Sequence, residues 1–375
     1  MKYIRRIKEK QKRLFLIAIL TFMSIVAEAF TVNGINYSIL SNTTVSVVSK
    51  SPKYTGGVVI PNRITYNGVE YNVTTIGSSA FSSCSGLTSL TLPESLTNIE
   101  RYAFKNCSGL TSITIPEGVT TIGNEAFYGC SGLTSLTLPE SLTSIGSYAF
   151  QDCSSLTSIT IPQNVAQIGT KAFAHCSNLS SIVVDENNEF YDSRKNCNAI
   201  IETANNKLLI GCSESIIPDD VKEIGDYAFY YCDGLTSITI PEGVTTIGSD
   251  AFRNCYGLTS ISLPEGLTSI GSSAFIYCRF LTSITIPEGV TTIGSHAFFG
   301  CCYGLTSITL PESLTSIGSS AFEDCSCLTS ITIPQNVAQI GTNAFARCNN
   351  LSSIVVDENN EFYDSRKNCN AIIET

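Results

Sequence analysis

Histidine is the side chain most often used for acid-base catalysis and metal binding, and this chain has two, His175 and His296. They fall in different copies of an internal repeat, at positions where other copies carry unrelated residues. A Ser-His-Asp triad or a zinc centre needs a histidine beside a nucleophile or further ligands, and the repeat supplies neither. No G-x-S-x-G, P-loop or Rossmann glycine pattern occurs. The sequence therefore predicts no catalytic residue, no metal site and no cofactor, with both histidines on the surface.

Clustered carboxylates are the second group of interest, because Ca²⁺ prefers such ligands. The spacing here does not match an EF-hand loop, so we expect polar turns that face solvent rather than a calcium site. The clusters are Asp185, Glu186, Glu189 and Asp192, and their counterparts Asp357, Glu358, Glu361 and Asp364.

Sixteen cysteines are the third group, and eleven of them stand three residues after the phenylalanine of the repeat. Coils stack about 4.8 Å apart, so the Cβ atoms of cysteines in adjacent coils are farther apart than the roughly 3.8 Å that a disulfide needs. We therefore expect a ladder of buried free thiols, which suits an anaerobic bacterial source. The ladder comprises Cys84, Cys107, Cys130, Cys153, Cys176, Cys232, Cys255, Cys278, Cys301, Cys325 and Cys348.

Two cysteines outside this ladder, Cys197 and Cys212, flank a predicted hairpin formed by residues 199–202 and 207–210. A hairpin brings the residues at its two open ends together. This pair is the predicted disulfide, and the alternative of two further free thiols stays open.

The element that positions all these residues is a 23-residue repeat, whose clearest copy is LTSITIPEGVTTIGSDAFRNCYG at residues 235–257. Residues 237–240 alternate polar and apolar side chains, which predicts a strand with one buried face. Pro241 removes a backbone donor and ends this strand. Residues 244–247 predict a second extended segment, and residues 249–252 predict a single capped helical turn.

One coil of this length cannot bury its own apolar side chains, so the copies must stack. The Ala-Phe pair of the repeat recurs in eleven copies, with steps of 23 residues except one of 56 and one of 24. Stacking predicts a continuous structural ladder of buried phenylalanines: Phe81, Phe104, Phe127, Phe150, Phe173, Phe229, Phe252, Phe275, Phe298, Phe322 and Phe345.

The pattern L-x-x-I-x-I-P-x-x-V-x-x-I-G-x-x-A-F-x-x-C resembles the 23-residue leucine-rich repeat of BspA-like bacterial surface proteins, over residues 57–375. The resemblance implies an exported or surface-exposed binding protein without catalytic activity, and it does not specify the ligand. The predicted fold is a β-rich α/β repeat solenoid. It is a right-handed leucine-rich repeat array with a parallel sheet on one face, short helical turns opposite, and an N-terminal β-hairpin cap.

The first residues have the composition of a cleaved secretory signal peptide, with a basic segment, an apolar run and Ala27-Glu28-Ala29. An uncleaved anchor is the weaker alternative, because the apolar run is short for a membrane span. We predict six segments: a signal peptide (1–29), an N-terminal β cap with an altered first repeat (30–81), repeats (82–178), a long variant unit with a hairpin (179–234), repeats (235–350) and a truncated second long unit (351–375).

A larger duplication lies on top of the short repeat. Residues 156–203 recur at 328–375, an offset of 172 residues, which indicates duplication of a block of five phenylalanine coils. The copies differ at three positions: Lys171 against Asn343, His175 against Arg347, and Ser177 against Asn349.

The net charge of the chain is −10. Residues 1–29 hold 7 of the 22 basic and 2 of the 32 acidic residues, so cleavage would leave 15 basic and 30 acidic ones, a charge of −15. This excess of acid argues against nucleic acid or an anionic membrane as partner and favours a basic one. We expect a protein ligand on a host or neighbouring cell, and no membrane insertion after cleavage. The sequence leaves the oligomeric state open.

Two outward faces of the coils are candidates for binding this ligand. The strand face carries almost constant Thr and Ser, which suits a solvated face or a hydroxyl array that binds a partner. The columns beside the Ala-Phe pair vary and carry aromatic rings, which are enriched in binding hot spots but can also pack on adjacent coils. Because specificity needs differences, we predict binding by exposed rings at Tyr227, Tyr230, Tyr231, Tyr256, Tyr277, Phe280, Phe299 and Tyr303.

Two function classes remain. The first is a non-enzymatic, secreted or cell-surface leucine-rich repeat protein that mediates protein binding or adhesion. The second is an accessory repeat region of a larger exported enzyme or transport component, with an active domain beyond residue 375. Further repeats downstream would favour the first class, and a new domain would favour the second.

Overall fold

The computed structural model describes residues 29–301, 303–365 and 371–375. The predicted signal peptide lies outside these ranges, apart from its last residue. Six strands precede the regular coils: β1 (Phe30–Val32), β2 (Ile35–Ile39), β3 (Thr44–Val48), β4 (Gly56–Val59), β5 (Arg63–Tyr66) and β6 (Val69–Ile76).

These first strands contain both predicted hairpins. β1 pairs antiparallel with β2 across Asn33-Gly34, and β5 pairs antiparallel with β6 across Asn67-Gly68. All four turn residues have positive φ, which is the geometry that Asn-Gly favours in a two-residue hairpin. β3 and β6 run parallel and lead into the coils. That these strands cap the array stays a prediction.

The Ser-Ile-Thr segment of each coil forms the predicted strand. Ile238 is buried while Ser237 and Thr239 are exposed, which is the period-2 pattern of a half-buried strand. Each strand pairs in parallel with the equivalent residues one coil away, as Ile238 does with Ile261. This series is β7 (Leu87–Thr91), β9 (Ser112–Thr114), β11 (Ser135–Thr137), β13 (Ser158–Ile161), β15 (Ser181–Val184), β20 (Ser237–Thr239), β22 (Ser260–Ser262), β24 (Ser283–Thr285), β26 (Ser307–Thr309), β28 (Ser330–Ile333) and β30 (Ser353–Val356).

The second extended segment forms a parallel strand of two residues in each coil, again in one-coil register, as with Ile247 and Ile270. This series is β8 (Asn98–Ile99), β10 (Thr121–Ile122), β12 (Ser144–Ile145), β14 (Gln167–Ile168), β19 (Glu223–Ile224), β21 (Thr246–Ile247), β23 (Ser269–Ile270), β25 (Thr292–Ile293), β27 (Ser316–Ile317) and β29 (Gln339–Ile340). The fold is therefore a β-solenoid with parallel sheets, as predicted.

The predicted helical turns opposite the sheet are wrong. Within the described ranges the sole helical element is a 3₁₀ turn at Arg194–Asn196. In each coil the residues two before and two after the phenylalanine have positive φ, between 54° and 62° where they are not glycine. A helix cannot contain left-handed residues at this spacing.

Alternating hydrogen bonds explain this conformation. The amides of Arg253 and Cys255 bond within the turn, to the carbonyls of Asp250 and Phe252. The amides that alternate with them bond to the next coil, Phe252 N–H to the Ala274 carbonyl and Asn254 N–H to the Ile276 carbonyl, both at 2.8 Å. A helical turn would direct these donors along its own axis and lose the bonds between coils.

The phenylalanine ladder forms the centre of the core. Ten of its eleven rings are buried and Phe345 is half-buried. Successive rings stack with centroids 4.9–5.5 Å apart. The ladder is interrupted between Phe173 and Phe229, where Gly211 donates its amide to Ala228 in place of a phenylalanine. A Cβ on Gly211 would lie 2.2 Å from the Phe229 ring, so this position has no room for a side chain.

Ladder cysteines such as Cys255 and Cys278 are free thiols and join adjacent coils through hydrogen bonds. The Cys278 thiol donates to the Phe252 carbonyl at 3.1 Å, and the Cys255 thiol donates to the Phe229 carbonyl at 3.0 Å. The same carbonyl of Phe252 accepts the Cys255 amide. Burial raises the pKa of Cys176 to about 12, so its reactive thiolate is scarce at neutral pH.

The long unit contains β16 (Tyr191–Asp192), β17 (Ala199–Glu202) and β18 (Lys207–Gly211), and its second copy contains β31 (Tyr363–Asp364) and β32 (Ile373–Glu374). β17 and β18 form the predicted antiparallel hairpin. The coil of Phe173 nevertheless contacts the coil of Phe229 directly, through a hydrogen bond from His175 N–H to the Tyr230 carbonyl at 3.4 Å.

The predicted disulfide between Cys197 and Cys212 is not formed in this structure, where both are buried free thiols. The hairpin register pairs Ala199 with Gly211, so the two cysteines are offset by one residue and point to opposite faces. Cys212 packs in the core of the preceding coils and Cys197 in that of the following coils.

Within the described ranges, no helix reaches the length and apolar content that crossing a bilayer requires.

Truncation of one ladder ring should cause a local loss of stability. Phe252 is fully buried between Phe229 and Phe275, with centroids 5.0 and 5.3 Å away. We expect Phe252→Ala to cost about 3–5 kcal/mol, measured as faster hydrogen exchange in the flanking coils. Coils near Phe104 should keep their protection, because each coil contacts mainly its neighbours. Ser262→Ala, on an exposed strand position, is the control, and an equal loss in every coil would contradict the prediction.

The thiol ladder predicts slow labelling of the native protein and complete labelling after denaturation without reductant. Of the 14 described cysteines, 12 are buried, while Cys232 and Cys327 are half-buried. A thiol-reactive dye read by mass spectrometry should therefore modify the 12 buried cysteines only after unfolding, and Cys232 and Cys327 slowly before it. Pairs of cysteines that stay unmodified in denaturant would show that the coils are cross-linked.

Candidate binding surface

The constant Thr and Ser face has a structural explanation. The Thr259 hydroxyl donates to the Thr236 carbonyl at 3.0 Å, and Thr282 donates to Thr259 at 3.2 Å. A second threonine column does the same on the short-strand side, where Thr268 donates to Thr245 at 2.9 Å. These hydroxyls help to hold one coil on the next, so their constancy does not indicate a ligand.

The eight predicted binding residues lie on or just after the turn segment around each ladder phenylalanine. We call them the aromatic columns: Tyr227, Tyr230, Tyr231, Tyr256, Tyr277, Phe280, Phe299 and Tyr303. Phe280 and Tyr303 are 54% and 64% exposed, as expected, while the other six are half-buried. Three of the half-buried rings, Tyr227, Tyr231 and Tyr277, stand at left-handed turn positions.

Six of these rings form one continuous strip. Tyr230 contacts Tyr227 and Tyr231 edge-on, at 5.7 and 4.8 Å between centroids, and Tyr231 lies 6.2 Å from Tyr256. The Arg279 guanidinium bridges the strip, 5.4 Å from the Tyr256 ring and 5.3 Å from the Tyr277 ring.

The far end of the strip is an edge-on contact between Tyr277 and Phe299, at 5.5 Å. Phe280 and Tyr303 form a separate stacked pair at 6.1 Å. The structure therefore brings six of the eight predicted residues together and sets two apart.

Cations among these rings were missed by the sequence reasoning. Lys171 Nζ lies 3.9 Å from the Tyr227 ring centre and 4.4 Å from that of Tyr230, and burial lowers its pKa. Arg253 Nη1 pairs with Asp250 at 2.9 Å beside the same strip. Lys171 could be found only by knowing that the coil of Phe173 stacks on the coil of Phe229. The long unit separates these two coils in the sequence, so their contact is not apparent from it. The strip therefore carries cations as well as the acidic groups Asp233 and Asp250, and the expectation of a basic partner stays a prediction.

His175, expected on the surface, is half-buried at the junction between these two coils. Its Nδ1 bonds to a carboxylate oxygen of Asp152, and its ring lies 4.5 Å from the Tyr231 ring. The hydrogen bond with Asp152 raises the pKa of His175 more than burial lowers it. Burial acts to raise the pKa of Asp152, but its hydrogen bonds with His175 and Tyr128 outweigh burial and lower it. Asp233 also faces His175, and its pKa is raised by burial.

The carboxylate clusters hold protein groups rather than converge on one point. Asp192 and Asp220 both pair with Arg194, the latter at 2.6 Å, and Asp185 accepts the amide of Asn187 at 2.9 Å. Across the described residues, no three His, Cys, Asp or Glu side chains come together as a metal ion would require.

Comparison with known proteins gives one family and a set of solved structures. The sequence matches the family described as BspA type leucine rich repeat region, with six copies over residues 64–203, 206–303 and 269–372. A leucine rich cell surface protein from Faecalibacterium prausnitzii A2-165 is 28% identical, with a TM-score of 0.57 over 92% of this chain and 97% of that one. A leucine-rich repeat protein from Bacteroides ovatus ATCC 8483 is also 28% identical, with a TM-score of 0.56 over 88% and 95%.

The pneumococcal vaccine antigen PcpA has a TM-score of 0.63 over 89% of each chain, and its 20% identity shows a shared fold alone. A search of curated protein sequences finds no match.

The Asp152–His175 pair predicts that the junction loosens as pH rises. His175 has a raised pKa in the folded state. Its contribution to folding stability is therefore complete below its unfolded pKa of about 6.5 and is lost as the pH rises through the folded pKa. Asp152 has a lowered pKa in the folded state. Its contribution to folding stability is therefore present above its unfolded pKa of about 3.9 and is lost only as the pH falls through the folded pKa. The pair is partly exposed, and its contribution is on the order of 1 kcal/mol or less.

Hydrogen exchange at residues 171–176 and 227–232, corrected for intrinsic rates, should therefore accelerate from about pH 6 to pH 9. Asp152→Asn should remove this pH dependence. The duplicated coil is an internal control, because Arg347 replaces His175 there and lies 3.9 Å from Glu323. The same pH trend in Asp152→Asn would contradict the assignment to this pair.

Proposed function

This chain belongs to the BspA-type leucine-rich repeat family, and from that premise we propose a non-catalytic role in protein binding or adhesion. The protein is exported or surface-exposed and captures a protein partner on the aromatic strip. Export rests on the signal peptide predicted at residues 1–29, and it agrees with the description of the F. prausnitzii relative as a cell surface protein.

The observation that carries this proposal is the strip of six rings from Tyr227 to Phe299, in which four rings in contact and a further contacting pair are linked by Arg279. Tyrosine and phenylalanine offer a large contact area with few rotors to immobilise, and clustered partly exposed apolar groups commonly mark interaction sites. The strip is also preorganised, because ring packing and cation-π contacts hold its side chains before a partner arrives.

The choice of face follows from what each face must do for the fold. The threonine columns repeat the same structural contact in several coils, and identical groups give a partner little to discriminate. The turn columns satisfy the stacking requirement through their backbone, so their side chains are free to differ from coil to coil.

Loss of three rings from the strip should abolish most binding. The mature protein is first used to capture partners from host matrix proteins and from surface proteins of neighbouring cells. Changing Tyr230, Tyr231 and Tyr277 together to Ser should weaken binding of the captured partner more than about tenfold, as expected for loss of hot-spot aromatics. Surface plasmon resonance gives the affinities, and circular dichroism checks that the fold is kept.

The matched control places charges on the other face, with Thr239→Lys and Thr285→Lys on exposed strand positions. This double variant should bind like the unmodified protein. If it loses binding while the tyrosine variant keeps it, the partner binds the hydroxyl face and the proposed surface is wrong.

A further inference from the structure

A pocket of about 290 Å³ opens between the turns of three successive coils at the far end of the strip. Its lining residues are Arg253, Ser273, Ile276, Tyr277, His296 and Phe299. One wall is the edge-on packing of Phe299 against Tyr277 and against His296, at 5.5 and 5.8 Å. Gly300 makes this wall possible, because a Cβ there would lie 2.4 Å from the Tyr277 ring. The pocket is thus built by a specific choice of residue at one coil.

Arg253, which lines this pocket, and its neighbour Arg279 each have a buried donor that no protein acceptor uses. Arg253 gives one nitrogen to Asp250, and its buried Nε has no hydrogen-bond partner. Arg279 lies over the Tyr277 ring, its buried Nε is likewise without a partner, and none of the ion pairs in the described part of the chain involves it. Of these two guanidinium groups Arg253 lines the pocket, and it keeps donors that Asp250 does not use. A buried donor without an acceptor is unfavourable, so an anionic ligand would supply what the site lacks.

We propose, on the premise of the binding role above, that this pocket receives an acidic segment of the protein partner. A carboxylate of that segment contacts Arg253, whose planar donors suit carboxylate geometry. An aromatic or aliphatic side chain beside it packs on Tyr277 and Phe299. A sugar acid suits the pocket less well, because none of the six lining residues is an Asp, Asn, Glu or Gln that would accept bonds from ring hydroxyls.

The test uses 3-phenylpropionate, which joins a carboxylate to an apolar ring, and its neutral counterpart 3-phenylpropanamide. Both are titrated into the full mature chain labelled with ¹³C at isoleucine methyl groups. Ile276 lines the pocket and reports binding, while Ile113, in a distant strand, reports non-specific effects. We expect saturable shifts of Ile276 alone, in about the millimolar range typical of so small a ligand. The acid should bind at least about tenfold more tightly than the amide, as for one charge-assisted contact.

Two variants assign the charge preference. Arg253→Gln should lower the affinity for the acid to that for the amide. Arg347→Gln, a guanidinium on another turn column that lies 3.9 Å from Glu323, should change nothing. The isoleucine methyl spectrum also shows whether each variant is folded. Glucuronate, a carboxylate on a sugar ring, is the third probe and should bind more weakly than 3-phenylpropionate.

Three results would overturn the inference: an unmoved Ile276, equal binding of acid and amide, or tighter binding of glucuronate. The proposed function is judged separately. A captured partner that still depends on Tyr230 and Tyr231 would keep the aromatic strip as the binding surface even if the acid probe fails. Conversely, loss of that dependence would reject the strip whatever the pocket binds.

Discussion

Each coil of this protein depends on the next for the hydrogen bonds of its buried turn. The carbonyl of Phe252 lies in the core and accepts two bonds, one from the Cys255 amide of its own coil and one from the Cys278 thiol of the next. Buried carbonyls must find such partners, so the position of the cysteine relative to the phenylalanine is fixed. The single 24-residue step obeys this constraint, because its extra residue falls after Cys301 and the bond from Cys325 to Phe298 is kept at 3.1 Å.

Because backbone hydrogen bonds hold the turns of adjacent coils together, most outward side chains of the turn are not needed for stacking. Tyr277 and His296 occupy left-handed positions, with φ of 56° in both, a conformation that costs a non-glycine residue about 1–2 kcal/mol. The inter-coil bonds of these turns offset that cost whatever the side chain is, since Ser, Tyr, Asp and Asn stand at equivalent positions in other coils. A scaffold held by backbone and core can therefore carry a different surface at every coil.

The strands and the phenylalanine ladder were predictable because period-2 alternation and a fixed repeat length leave one arrangement that buries every Ile and Phe. The helical turn was mispredicted because Ser249 and Asp250 have good capping propensity, while the bonds that prevail reach another coil and are invisible in one copy. The predicted Cys197–Cys212 disulfide is absent because the register of the hairpin is offset by one residue. Hairpin boundaries predicted from sequence are not accurate enough to detect such an offset. Of the aromatic strip, the six rings were named from the sequence as candidate binding residues, but the cations Lys171, Arg253 and Arg279 were not.

The duplicated block shows which part of the coil has changed since it was copied. Of the 48 residues in 156–203, the three that differ in the second copy stand two before, two after and four after the ladder phenylalanine. All are turn-column positions, and no strand, core or ladder residue differs. Lys171, which lies against Tyr227 and Tyr230, becomes Asn343, and His175, which bonds Asp152, becomes Arg347. Within these 48 residues the divergence is confined to the variable face, so the scaffold is kept while the side chains that it presents have changed.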